Sequence, residues 1–154
     1  MENYVNNNRV EIWGTISGDA EFSHEIYGEK FLIFTMDIPR LSGIYDRIKI
    51  MVSERLTSDV PLLSGDRVKI IGQFRSYNSS ENGANRLILT VFARDILKDG
   101  FDEENPNSIY LNGYICKQPV YRTTPFGREI TDMLLAVNRT YNKSDYIPVI
   151  AWGR

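Results

Sequence analysis

The sequence contains the same segment twice. Residues 8–55 and 107–154 align without a gap at a constant offset of 99. Eight residues are identical in the two copies, and apolar positions match apolar ones, as Val10 and Ile109 do. A period near 100 residues indicates a domain duplication and not a solenoid. Because the second copy stops before a counterpart of residues 56–98, the sequence predicts one complete unit and one truncated unit.

The first copy is predicted to be almost entirely β-strand. Apolar and polar residues alternate along five stretches, as half-buried strands require. These stretches begin near Val10, Phe34, Ile48, Val68 and Leu87, and residues 79–83 predict a turn before the last of them. Residues 54–63 lack the alternation and predict a short helix, which Pro61 limits in length. Five strands with a helix between the third and fourth is the element order of the OB-fold, a partly open barrel that binds oligonucleotides and oligosaccharides.

We therefore predict an all-β protein, in which a five-stranded OB-fold barrel is followed by a second, truncated OB-like repeat with only its first three strands. The alternating register predicts which side chains point into the barrel. They are Val10, Ile12, Ile48, Ile50, Val68, Ile70, Leu89 and Val91.

The distribution of charge suggests where the two repeats meet. Residues 99–106 contain four acidic and no basic side chains, and their composition predicts a linker. Residues 1–98, with 12 basic and 13 acidic side chains, form the expected first domain, whereas residues 107–154, with six basic and three acidic, form the expected second repeat. The truncated repeat is therefore the more positively charged of the two.

Composition argues against an enzyme. His24 is the only histidine and Cys116 the only cysteine, so neither a disulfide framework nor a metal site is expected, and no cofactor is predicted. No apolar run approaches the length of a membrane span, and the polar start of the chain lacks the features of a signal peptide. We expect a cytoplasmic protein with no membrane association.

The outward face of the predicted third strand differs between the two copies. In the first copy it holds Arg47, Lys49, Met51 and Ser53. In the second copy it holds Tyr146, Pro148, Ile150 and Trp152. Apolar surface left in water costs about 25 cal/mol per Å² relative to burial, so aromatic side chains on this face predict that something covers them.

Several stretches resemble the bacterial single-stranded DNA-binding protein family. In the second copy the similarity lies in residues 107–113, the turn at Gly127, residues 135–137 and the strand ending at residues 152–154. In the first copy, residues 68–75 end in the Gly-Gln-apolar-Arg pattern of the family's fourth strand, and residues 87–94 are similar to its fifth. The resemblance implies an OB-fold that binds single-stranded DNA with little sequence preference in replication, repair and recombination.

The resemblance also implies that Tyr141, Tyr146 and Trp152 stack on bases. The first copy departs from this pattern, with polar residues such as Arg47 in their place. Stacking contributes roughly 1–3 kcal/mol per base with little sequence preference, and nearby cations can contact phosphates. The predicted nucleic-acid-binding residues are Tyr141, Tyr146, Trp152, Arg122, Arg128, Arg139, Lys143, Arg154, Arg47, Lys49, Arg75, Tyr77 and Arg86.

Other interpretations stay open. The protein could be an OB-fold protein-interaction or oligomerisation module with weak or lost nucleic-acid binding, in which case the aromatic side chains lie in an interface. Single-stranded RNA is an alternative ligand. Three strands of a barrel leave an apolar face, which we expect the first repeat or another copy of the chain to cover, so a homo-oligomer is expected. The residues of this face are Ile109, Leu111, Leu135, Val137, Ile147 and Val149.

Overall fold

The computed structural model describes residues 6–153, apart from the side chain of Glu81. Arg154, one of the predicted binding residues, lies outside this range. The first part of the chain forms β1 (Asn8–Ile26), β2 (Glu29–Pro39), β3 (Tyr45–Ser53), α1 (Glu54–Asp59), β4 (Arg67–Glu81) and β5 (Ala84–Leu97). The second part forms β6 (Asn107–Leu111), β7 (Tyr114–Ile115), β8 (Val120–Thr123), β9 (Glu129–Arg139) and β10 (Lys143–Trp152).

Strands β1 to β5 form a closed barrel. They lie in one sheet with the order β2-β3-β5-β4-β1-β6, and an additional pairing between β1 and β2 closes it. The short helix α1 begins after Ser53, whose side chain caps it by accepting a hydrogen bond from the Arg55 N–H at 3.3 Å. It ends before Pro61, as the sequence predicts. The predicted OB-fold barrel with a helix between its third and fourth strands is confirmed.

The barrel core follows the predicted alternation closely. Six of the eight expected side chains are buried: Val10, Ile12, Ile50, Val68, Ile70 and Val91. Ile48 is half-buried against the core, and Leu89 is also half-buried. The outward face of β3 is less solvated at its end than its sequence suggests, because Met51 and Ser53 are buried. The Ser53 hydroxyl donates to Glu29 at 2.7 Å in addition to capping α1.

The hairpin of β4 and β5 is longer than the sequence predicts. The predicted turn covers residues 79–83, but β4 continues to Glu81 and the turn contains only Asn82 and Gly83. Their φ angles of 53° and 77° are those of a type I′ turn, which matches the twist of two antiparallel strands. The predicted boundary is wrong because Ser79 and Ser80 are turn-forming residues by composition, whereas Asn-Gly alone suffices to reverse the chain.

The chain divides into two compact units that do not follow the order of the repeats. One unit contains residues 9–74 and 89–110 and includes the barrel core. The other contains residues 6–8, the far half of the β4–β5 hairpin (Arg75–Ile88), and residues 111–153. We call the first the barrel unit and the second the hairpin unit. The far half of a first-repeat hairpin thus belongs to the same unit as most of the second repeat.

The hairpin unit contains a four-stranded sheet in which β9 pairs with β10, β7 and β8. Its backbone repeats a detail of the barrel. A Cβ added to Gly14 would lie 2.2 Å from the carbonyl oxygen of Asp37, and one added to Gly113 would lie 2.3 Å from that of Ala136. Both pairs are related by the offset of 99, so the duplication holds in the backbone packing and requires glycine in both copies.

The apolar face expected on the second repeat is only partly hidden. Val137 and Ile147 are buried in the hairpin unit, while Leu135 and Val149 are half-buried. Ile109 does not lie on this face. Its strand, β6, pairs with β1 in the barrel sheet and does not continue into the sheet of β9. The first strand of the second repeat is therefore divided between the two sheets.

Candidate nucleic-acid interface

Strand β10 has one exposed side and an opposite side that is buried in the middle of the strand. Side chains at alternate positions project to opposite faces of a strand. Ile147 and Asp145 are 4% and 1% exposed. On the opposite side, the exposed side chains are those of Tyr146, Pro148, Ile150 and Trp152. We call this set the β10 aromatic face, and its Tyr and Trp remain 44% and 60% exposed, as the sequence register predicts.

A buried carboxylate fixes the start of β10. Asp145 accepts hydrogen bonds from the Arg139 guanidinium through both of its oxygens, and Oδ1 also accepts the Ser76 N–H at 2.9 Å. In return, the Tyr146 N–H donates to the Ser76 hydroxyl at 2.7 Å. Because a buried charge requires such partners, this network holds the backbone beneath Tyr146 in one position. It also joins the β4–β5 hairpin to β10 within the hairpin unit.

Tyr141 lies in the turn between β9 and β10 and is 92% exposed. Its φ of 65° is in the left-handed region, which a bulky side chain rarely adopts. Asn142 beside it has a φ of 59°. Backbone strain of this kind persists where the surrounding structure imposes it, and it is concentrated at binding sites. The turn holds the Tyr141 ring in solvent at the end of the hairpin.

Two of the predicted basic residues are bound to carboxylates of their own chain. Arg122 donates to Asp132 through Nε at 2.6 Å and Nη2 at 3.3 Å. This hydrogen bond lowers the pKa of the Asp132 carboxyl and raises the pKa of Arg122. Arg139 is bound to the buried Asp145. For a phosphate to bind Arg122 or Arg139 fully, it has to displace a carboxylate.

Arg128 and Lys143 are exposed elsewhere in the hairpin unit. Arg128 lines an open cleft of about 550 Å³ beside the end of β10. The cleft residues are Tyr121, Thr123, Gly127, Arg128, Glu129 and Gly153. In this cleft the Tyr121 hydroxyl donates to Glu129 at 2.8 Å. Arg128 follows Gly127 in the turn before β9. It lies two residues before Ile130, which is the β9 residue that pairs with Trp152.

The predicted first-repeat residues fall into two groups. Arg75, Tyr77 and Arg86 lie on the far half of the β4–β5 hairpin and belong to the hairpin unit. Tyr77 is 45% exposed and Arg86 is exposed. Arg47 and Lys49 lie on β3 in the barrel unit instead.

Arg47 donates to Asp37 at 3.0 Å, and this bond raises the pKa of Arg47. Of the thirteen predicted residues, ten therefore belong to the hairpin unit, two belong to the barrel unit, and Arg154 is not described.

The described part of the chain lacks the features of two other kinds of site. Across residues 6–153, no group of three or more His, Cys, Asp or Glu side chains is arranged to hold a metal ion. Over the same range, no helix has the length and apolar character needed to cross a membrane.

Comparison with known proteins identifies the family. A sequence model of the single-strand binding protein family matches residues 106–154. The N-terminal domain of PriB protein from Thermoanaerobacter tencongensis, whose structure is described as dimeric, has 48% sequence identity, with 61% of this chain and 98% of that domain covered and a TM-score of 0.53. The chain belongs to the single-strand binding protein family.

A longer structural match covers both repeats. The wild-type single-stranded DNA binding protein from Thermus aquaticus is 20% identical, with 94% of this chain and 73% of that chain covered and a TM-score of 0.72. A deletion mutant of that protein matches with a TM-score of 0.70. At this identity the match shows a shared fold. No curated protein sequence matches the chain.

Sequence reasoning missed two members of the exposed sheet surface, Tyr114 and Ala136. Tyr114 on β7 is 70% exposed and lies opposite Ala136 of β9, which in turn lies opposite Tyr146. A comparison of the two copies at the offset of 99 could have found both, because they replace the polar residues Thr15 and Asp37 of the first copy. Ser76 was also missed, since a serine on a predicted strand gives no sign that its partner is 69 residues away.

Proposed function

We propose that this protein binds single-stranded DNA with little sequence preference, by stacking bases on the β10 aromatic face and by contacting phosphates with basic side chains. The observation that carries the proposal is the exposure of Tyr146 and Trp152 on a strand whose opposite side is buried at Asp145 and Ile147. Every base has a π-face, so such a surface accepts any sequence. The aromatic side chains also belong to a small sheet, where exposed apolar surface marks an interaction site.

Electrostatics support the same ligand. Lys143 and Arg128 are exposed in the unit that carries the β10 aromatic face. Contacts between such cations and phosphates release counterions, so affinity should fall as salt increases. Arg86 and Tyr77 of the β4–β5 hairpin add a third cation and a further aromatic ring to that unit. The hairpin unit therefore supplies both the rings and the charges that a single strand requires.

The relatives point the same way. The Thermus aquaticus proteins are described as single-stranded DNA binding, and the matching family is named for binding single strands. On this basis we assign the protein a non-enzymatic role in DNA replication, repair or recombination in the cytoplasm. Single-stranded RNA offers the same bases and phosphates and is tested beside DNA.

A titration of fluorescently labelled oligo-dT tests this function. The intact chain is added at about 50 mM and at about 200 mM salt, a range over which phosphate contacts weaken strongly, with oligo-U of the same length and a DNA duplex as parallel ligands. We expect saturable binding of oligo-dT that weakens at the higher salt, and weaker binding of the duplex, in which the base faces are already stacked. Binding of oligo-dT no tighter than that of the duplex, at either salt, would contradict the proposal.

A second function has its own support. The PriB domain with 48% identity is described as dimeric, and the first repeat carries ion-paired charges where the second carries aromatic rings. These observations favour an oligomerisation module built on the barrel unit. Sedimentation of the chain with and without oligo-dT separates the two functions. A dimer without DNA affinity would establish the module alone, whereas DNA binding by monomer or dimer supports the main proposal.

A further inference from the structure

Two exposed tyrosines flank a small residue on the sheet of the hairpin unit. Tyr114 on β7 and Tyr146 on β10 both lie opposite Ala136 on β9. Residues directly opposite in antiparallel strands project from the same face of a sheet. Tyr114 is 70% exposed, Tyr146 is 44% exposed, and Ala136 is half-buried. Two phenol rings thus stand on either side of a methyl group.

The spacing of this row suits a third ring. Neighbouring strands lie about 4.8 Å apart, so the two tyrosine backbones are separated by about 10 Å. Aromatic rings stack with centroids about 4.5–7 Å apart, which places the two tyrosines too far apart to stack on each other across the row. A flat ring midway between them would lie about 5 Å from each and could contact both. Any side chain larger than Ala136 would occupy that space.

The backbone on both sides of the slot is fixed. Gly113, next to Tyr114, approaches the Ala136 carbonyl so closely that an added Cβ would lie 2.3 Å from its oxygen. On the other side, the Tyr146 N–H is bound to Ser76 at 2.7 Å. A binding slot formed by such a backbone is already arranged before its ligand arrives, which reduces the entropy that binding has to overcome.

The first repeat contains the same row with different chemistry. Thr15 lies opposite Asp37, and Asp37 lies opposite Arg47, each 99 residues before its counterpart. Asp37 and Arg47 form an ion pair at 3.0 Å. All three positions therefore differ between the repeats. The first repeat has one polar and two charged side chains, and the second has a methyl group between two aromatic rings. A requirement of the shared fold would have kept them alike, so the difference points to a ligand of the second repeat.

We propose that Tyr114, Ala136 and Tyr146 form a slot that takes one unpaired nucleobase, stacked between the two tyrosine rings over the Ala136 methyl group. This inference rests on the proposed function and adds to it a stacking residue, Tyr114, and a residue that sets the size of the slot, Ala136. The slot spans three neighbouring strands, β7, β9 and β10, whereas the rest of the β10 aromatic face runs along one strand. The bound strand therefore crosses from β10 toward β7 at this row.

Variants on both sides of the row test the slot by anisotropy of labelled oligo-dT, with oligo-U in parallel to distinguish DNA from RNA. We expect Tyr114→Ala, which removes one stacking ring, and Ala136→Leu, which fills the space of the base, each to weaken binding roughly fivefold or more. Tyr114→Phe and Ala136→Ser keep the ring and the space and should bind as the unchanged protein does. Thr15→Ala, the matched change in the first repeat, should have no effect.

The double variant Tyr114→Ala and Tyr146→Ala sharpens the test. Because both rings act on one base, its loss should be smaller than the product of the two single losses. If the unchanged protein binds neither oligonucleotide, the proposed function fails and the slot with it. If the unchanged protein binds and Tyr146→Ala weakens binding while Tyr114→Ala does not, the slot is wrong and the function stands. Should Ala136→Leu disturb folding, the comparison of Tyr114→Ala with Tyr114→Phe decides.

Discussion

The two repeats contain the same ion pair in different surroundings. Arg40 and Asp46 of the first repeat correspond to Arg139 and Asp145 of the second at the offset of 99. The first pair is exposed, with 56% and 30% of its side chains in contact with solvent, whereas the second has 26% and 2%. Asp145 gains a further partner in Ser76. The same local bridge is thus a surface contact in one repeat and a buried anchor in the other.

The exposed residues of the neighbouring strands differ in the opposite direction, because here the charged pair belongs to the first repeat only. In the barrel unit, Asp37 and Arg47 are paired across β2 and β3. In the hairpin unit, the equivalent positions hold Ala136 and Tyr146, which leave a ring in solvent. The comparison teaches that two similar backbones carry opposite surfaces, because the second repeat buries its Arg–Asp pair and exposes an aromatic ring where the first has an ion pair. Each prediction below compares a change in the second repeat with a change in the first.

The largest expected effect concerns the anchor. Asp145→Ala leaves Arg139 and the Ser76 N–H without their carboxylate, and removing one partner of a buried pair costs about 3 kcal/mol, at the low end of the usual range because Arg139 is partly exposed. Asp46→Ala should lower the free energy of unfolding far less, because water screens the exposed pair. Urea denaturation of both variants measures the difference. Equal losses would mean that burial of the second pair adds nothing.

The next effect concerns the aromatic side chains. Trp152→Ala should weaken oligo-dT binding by about 1–3 kcal/mol, the usual contribution of one stacked base. The matched change in the first repeat is Ser53→Ala, whose side chain is buried beside α1, and it should leave the affinity unchanged. Equilibrium titration at one salt concentration suffices. A Trp152→Ala variant that folds and binds normally would assign this tryptophan to an interface with protein.

The smallest effect concerns salt. Lys143→Ala and Arg128→Ala should each lower the slope of log affinity against log salt by about one unit for every phosphate that the removed side chain had neutralised. Lys30→Ala, an exposed cation of the barrel unit outside the predicted binding residues, is the control and should leave the slope unchanged, whereas Lys49→Ala tests whether the first repeat contributes. Arg139→Ala should chiefly destabilise the fold, since its guanidinium is bound to Asp145. A slope that changes only with Lys49 would place the phosphate path on the first repeat.

Much of the fold was accessible from the sequence because alternation is a local property. The core of the barrel and the outward direction of Tyr146 and Trp152 follow from a period of two residues. The length of the β4–β5 hairpin was less accessible, since Ser79 and Ser80 suit either a turn or an exposed strand. Only pairing with β5 decides between them, and pairing is a tertiary property.

The candidate site was predictable in part for the same reason. The offset of 99 and the resemblance together selected the side chains of β10, but they treated each basic residue as available to phosphate. Arg122 and Arg139 are bound to Asp132 and Asp145, which lie ten and six residues further along the chain. Such contacts depend on the register of β8, β9 and β10, which a count of charges does not contain.

The division of the β4–β5 hairpin between two units has a consequence for synthesis on the ribosome. The barrel unit has all of its residues once Tyr110 has emerged, so it can close early. Residues 75–88 are made before that point, yet Ser76 cannot meet Asp145 until 69 further residues have followed. Contacts of such sequence separation form slowly. During synthesis, the far half of the hairpin therefore lacks its final partners for some time. A stall of synthesis or a proteolytic cut between β6 and β10 would leave a closed barrel in which residues 75–88 do not contact β10.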